Sequence, residues 1–156
     1  MAISIRTVKR ALLSELNSDT FYRQAAETAG QDAFRDWFSE LANLEVDQAR
    51  ELARRASEPS LDLHFDARRY VEKLESRPSG GMSPMDTKAV RTGDTKAVLT
   101  LARHRAAEAR HIYQMLARET YDPSMRDFCE KLAHTEQYHL ERLDELEGAL
   151  GTPSAG

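Results

Sequence analysis

The sequence predicts an all-α fold: an antiparallel four-helix bundle built from two repeated helical hairpins, joined by a long crossover that carries a short extra helix. Three observations predict it. The first 55 residues recur 91 positions later without a gap. Tyr22 falls on Tyr113, Ala11 on Ala102, Ala26 on Ala117, Arg35-Asp36 on Arg126-Asp127, Leu41-Ala42 on Leu132-Ala133, Glu45 on Glu136 and Leu52 on Leu143. Apolar residues recur at three- and four-residue spacings through both copies, and no stretch alternates as a strand does. The segment between the copies, residues 57–93, is too long for a simple hairpin loop and long enough to travel the length of a bundle.

The first helix is expected over residues 4–29, with Ile5, Val8, Ala11, Leu12, Leu16 and Tyr22 on its apolar face and Gly30 as its stop. The second, over 32–56, presents Phe34, Trp37, Phe38, Leu41, Leu44 and Leu52, and Pro59 ends it. In the crossover, Leu61, Leu63, Phe65, Ala67, Tyr70, Val71 and Leu74 predict a shorter helix over 61–75, followed by a flexible run over 76–81. The third long helix opens at the capping residues Asp94 and Thr95 and carries Val98, Leu101, Ala102, Ala109, Tyr113 and Leu116 to about residue 120. The fourth has Asp122 as N-cap and Pro123 at its first position. Its stripe is Phe128, Leu132, Glu136, His139, Leu143 and Leu146, closed by Gly151, and the tail 151–156 is expected to fray. Helices of about 25 residues are roughly 38 Å long, so residues 1–150 make one domain.

Composition narrows the function classes. Of 156 residues, 22 are Lys or Arg and 26 are Asp or Glu, a net charge of −4. With both signs mixed along every segment, no basic face offers itself to nucleic acid. No apolar run approaches the length of a membrane span, so a cytoplasmic protein is expected. The lone Cys129 excludes an intramolecular disulfide and any four-cysteine metal site.

Each copy of the repeat places a glutamate inside an apolar stripe, Glu45 and Glu136. An unpaired buried carboxylate costs several kcal/mol or more, so each needs a partner, and inside a four-helix bundle the obvious partner is a metal. Carboxylate bundles hold two ions with one Glu from each of two helices and a Glu-x-x-His from each of the other two, six ligands in all. Glu136-Gln137-Tyr138-His139 is that motif, with both side chains on one helix face. Glu45-Val46-Asp47-Gln48 repeats it with Gln in the histidine place. Glu15 shares the face of Tyr22 seven residues on, and its repeat partner is Ala106. Tyr22 and Tyr113 are read as core tyrosines whose hydroxyls bond to an inward carboxylate. His104, Glu108 and His111 lie opposite Ala102, Ala106 and Ala109, on a face left for solvent or subunit contact. Trp37, Phe38 and that face supply material for a homodimer.

Through Ala11-xxx-Glu15-xxxxx-Phe21-Tyr22, Leu41-Ala42-xx-Glu45 and Leu132-Ala133-xx-Glu136-xx-His139, the chain resembles the rubrerythrin branch of the ferritin-like superfamily. The resemblance implies a di-iron centre that reacts with peroxide or dioxygen, or that oxidises and stores iron. It implies that Glu45 and Glu136 bridge two ions, with Glu15 capping one and His139 the other. The sequence departs from the family at Gln48 and Ala106, and Cys129 alone cannot build the rubredoxin module of true rubrerythrins. Three carboxylates and an imidazole, with Gln48 as a weak amide ligand, still suit one divalent ion or an asymmetric pair: iron first, with zinc or manganese also fitting. Oxidoreductase activity toward peroxide or oxygen is then expected to be weak at most. A reading of a different class rests on Arg110, four residues after Ala106 and so on the same side. An arginine reaching inward would neutralise the carboxylates and leave a degenerate, non-catalytic bundle serving as a scaffold or interaction module.

Overall fold

The computed structural model describes residues 4–77 and 82–151, and among these every regular element is a helix and none is a strand. Four long helices, α1 (Ile5–Thr28), α2 (Asp32–Ala56), α5 (Thr95–Glu119) and α6 (Pro123–Gly151), enclose the core. Two short ones, α3 (Ala67–Glu75) and α4 (Pro84–Thr92), lie in the crossover. Side chains cap the starts of α1, α5 and α6. Ser4 accepts from the Thr7 amide, Asp94 from Ala97 and Asp122 from Met125, each satisfying a backbone donor that a first helical turn leaves free.

Two features of the crossover differ from the expectation of one helix over 61–75. Residues Pro59–Leu61 form a single 3-10 turn, and α3 begins only at Ala67. Asp62 and His64 adopt φ of 49° and 51°, left-handed backbone that a helix cannot contain, and the Asp66 side chain then caps the Arg69 amide at 3.0 Å. The second difference is α4 itself. Ser83 and Asp86 form a reciprocal capping box with Pro84 at the first turn, and Gly93, at φ 64°, closes the helix in the left-handed region. Of the run expected to be flexible, 76–81, only Ser76 and Arg77 are described; Arg77 donates to Asn17 of α1 at 2.8 Å. Of the tail, 152–156 lies outside the described residues.

The core is two apolar clusters stacked along the bundle. One contains Val8, Leu12, Leu52, Ile112, Tyr113, Leu116 and Leu132; the other contains Phe21, Tyr22, Phe38, Leu41, Leu99, Ala102 and Leu143. Each fully buried Leu or Ile contributes about 2 kcal/mol. Every matched buried apolar pair of the repeat is split between the clusters. Ala11, Tyr113, Leu132 and Leu52 lie in the first, while their partners Ala102, Tyr22, Leu41 and Leu143 lie in the second. That exchange is what a twofold axis crossing the bundle at mid-height produces. It also fixes direction: α1 and α6 run one way and α2 and α5 the other, so the crossover must traverse the bundle, as its length predicted.

The hairpins α1–α2 and α5–α6 are tightly packed internally, and they meet mainly through α1 and α5. Thr7 Oγ1 donates to Glu119 at 3.0 Å, and Arg10 lies 3.8 Å from Glu108, both between α1 and α5. The helices α2 and α6 approach each other less closely. His104, Glu108 and His111 are exposed as expected. Phe38 corrects the expectation that it serves a subunit contact: it is buried, stacked on Tyr22 and Phe34, with the half-buried Trp37 packed on its edge.

Candidate metal centre

Between the apolar clusters lies a layer of buried polar side chains. Glu15 of α1 sits between Leu12 and Leu16 in the helix stripe, and Glu45 of α2 lies between Leu41 and Ala49. Glu136 and His139 of α6 fall between Leu132 and Leu143. Their exposures are 1%, 2%, 0% and 3%, so all four face inward. Gln48, one turn after Glu45, and Ala106 of α5 are buried with them.

Glu45, Glu136 and His139 each offer a ligand atom, and the three atoms lie within 4.8 Å of one another. Nδ1 of His139 is 3.2 Å from Oε2 of Glu136. Glu15 stands beside this trio, and the Tyr113 hydroxyl donates to its Oε1. The expectation of a tyrosine bonded to an inward carboxylate is met at Tyr113.

The electrostatics follow from burial. Loss of water is the largest influence on Glu15 and pushes its carboxyl up to about 8, with the Glu136 charge adding to the rise and the bonds from Glu45 and Tyr113 opposing it. Glu45 is held well above the usual carboxylate range by burial, then by the Glu15 and Glu136 charges, with Arg105 pulling the other way. Burial and the same carboxylates also raise both tyrosines.

Whether a metal ion fits this layer is decided by its leftover oxygens. Oε2 of Glu15, Oε1 of Gln48 and Oε1 of Glu136 are buried without a hydrogen-bond partner. Orphaned buried acceptors are rare because each costs about 1–3 kcal/mol. Oxygen acceptors converging with an imidazole are a donor set for a divalent cation. The residues present fit one.

Two arginines correct the sequence reading. Arg110 turns to Gln137 on the outer part of α6, with its Nη1 donating to Oε1, and does not bond to the inward carboxylates. The cation acting on Glu45 is Arg105, the residue before Ala106, which pairs with Asp86 of α4. Sequence reasoning missed Arg105 and Asp86. The pattern Ser83-Pro84-Met85-Asp86 was a signal for α4, but nothing local says that the same carboxylate reaches α5. Cys129 lies in the apolar core, where burial pushes its thiol up to about 12 and keeps it inert.

Among the described residues no helix is long and apolar enough to cross a membrane. The family model described as Rubrerythrin matches residues 7–147. No curated protein and no solved structure matches the chain.

Proposed function

The chain belongs to the rubrerythrin family, and on that premise we propose that it binds a single divalent ion, iron in the first place, in the mid-bundle layer. Glu45, Glu136 and His139 would hold the ion, with Glu15 as the third carboxylate and Gln48 as a weak amide donor. The observation that carries this is the convergence of three buried ligand atoms beside buried oxygens that have no other partner. Zinc and manganese suit the same donors. A bound iron supplies redox chemistry toward peroxide or dioxygen. The residues around it would do the rest: the two apolar clusters exclude water, and Tyr113 orients Glu15. Turnover is weak in this proposal because a pair of ions needs terminal ligands on both sides. Gln48 offers no imidazole and Ala106 no carboxylate.

Two results test it. Zinc or iron(II) added to chelator-treated protein is expected to raise the melting temperature by preferential binding to the native state, and His139→Ala to remove most of that increment. An undiminished increment in His139→Ala would place the ion elsewhere. The double change Gln48→His with Ala106→Glu is expected to raise metal content from one ion toward two per chain and to speed iron(II) oxidation. Equal metal content in the two proteins would count against the lost-ligand account.

A second reading, a metal-free bundle acting as a scaffold or interaction module, is favoured by one observation. The Tyr113 hydroxyl already satisfies one oxygen of Glu15 without an ion. Metal analysis after purification without chelator separates the two readings.

A further inference from the structure

A groove of about 530 Å³ runs between α5 and α6. Its floor is the buried pair Ala117 and Ala133, whose short side chains leave the space. Arg110, Gln114 and Arg118 line it from α5, four residues apart and so on one helix face, and His134 and Gln137 line it from α6. The repeat supplies an internal control. Ala117 and Ala133 fall on Ala26 and Ala42, which are buried as well, so the first hairpin keeps the same two small residues. What differs is the charge beside them. Along α1 the matching residues are Asp19, Arg23 and Glu27, and Arg23 closes on Asp19 at 2.5 Å. Along α5 they are Arg110, Gln114 and Arg118, so a neutral amide stands where the first hairpin has its counter-charge.

Arg110 is left uncompensated by that exchange. Arg55, Arg103 and Arg105, half-buried as it is, each pair with a carboxylate. Among the described residues Arg110 pairs with none: its Nη1 donates to Oε1 of Gln137, and its buried Nε has no acceptor. Gln137 donates in turn to the exposed Glu141 at 3.4 Å, which leaves that carboxylate one amide away from the arginine. A guanidinium drawn partly out of water without a counter-charge is costly. Its remaining edge, Nε with Nη2, is the planar fork that meets two oxygens of one phosphate or carboxylate. Glu130 also lines the groove, and two arginines against one glutamate leave it positive on a chain whose net charge is −4.

We propose that the α5–α6 groove binds a small oxyanion, a phosphate group or a carboxylate, seated on the free edge of Arg110 with Arg118 and His134 donating beside it. Gln137 fixes the plane of the guanidinium by taking Nη1. The site does not depend on whether the mid-bundle layer holds an ion. A merely structural Arg110 would behave differently, because changing its surroundings would alter stability without altering the response to anions.

The test is an amide-detected NMR titration of the full chain in Tris chloride at constant ionic strength, with inorganic phosphate and, separately, with succinate. Shifts are expected within residues 110–118 and 130–137. Gln114→Glu writes the first hairpin's charge balance into α5. It is expected to weaken anion binding roughly tenfold while melting no lower than the parent, since the new carboxylate lies four residues from both Arg110 and Arg118. Arg110→Gln should weaken binding by a similar factor, and Glu130→Gln should tighten it roughly threefold by removing the opposing charge. Tighter binding of phosphate identifies a phosphate group as the natural ligand, and tighter binding of succinate a carboxylate; both outcomes support the site. Shifts spread evenly over the surface, or localised shifts that Gln114→Glu leaves undiminished, overturn it. If Arg110→Gln does not fold, Gln114→Glu decides alone.

Discussion

In chelator, the protein is expected to lose stability steadily as the pH is raised from about 5 to about 8, the reverse of the usual behaviour of carboxylates paired in a native state. Glu15 has an ordinary value of 4.5 and is raised to about 8 in the fold, and Glu45 is raised as well. The folded protein therefore keeps protons that the unfolded chain has already released. Stability is fully present below the unfolded value and is lost as the pH climbs through the folded one. Adding zinc reverses the trend, because ligating carboxylates must give up their protons and binding strengthens with pH. Melting curves at four pH values, with chelator and with zinc, should converge at the acidic end and diverge at the alkaline end. A chelator series that is flat with pH would mean that the layer is not protonated as described.

The second large effect is expected from Glu15→Gln. The amide keeps an oxygen for the Tyr113 hydroxyl and removes the charge that burial penalises. At pH 8 the variant should exceed the parent in stability by on the order of a few kcal/mol in chelator, and at pH 5, just above the unfolded value of 4.5 and with the folded Glu15 still protonated, by about 1 kcal/mol or less. Urea unfolding at the two pH values measures this. It should also lower zinc affinity, so that stability and binding move in opposite directions. A variant less stable than the parent at pH 8 would show that the carboxylate is favourably charged in place, and the burial argument for this layer would fall.

The long helices and the inward side chains were legible in the sequence because both are local consequences of spacing. Glu45, Glu136 and His139 declare themselves by lying in apolar stripes and, for the glutamates, by recurring at the offset of 91. Tyr113 could be expected to seek a carboxylate because a buried phenol needs a partner. What was not legible depends on contacts between segments far apart in sequence. Arg110 and Arg105 are both half-buried on α5, and their partners, Gln137 on α6 and Asp86, 19 residues before Arg105, come from other segments. Phe38 and Trp37 are adjacent aromatics on one stripe, and only the stacking of Tyr22 and Phe34 on Phe38 shows which of them is interior. In the crossover, the apolar periodicity over 61–75 was real, but two left-handed residues cut its first half away from the helix.

The unequal approach of the helix pairs gives this bundle the mechanics of a book. The spine is α1 against α5, and the fore-edge is α2 facing α6. Glu45 belongs to one cover, Glu136 and His139 to the other, so an ion held by the three is a clasp across the open side. Without it, the covers are joined near one end, where Arg55 of α2 donates to Ser124 and lies 4.3 Å over the Phe128 ring of α6. Slow breathing of the fore-edge would then admit small solutes to the layer while the spine stays shut. Amide exchange should be quenched by metal chiefly along α2 and α6 and little along α1 and α5.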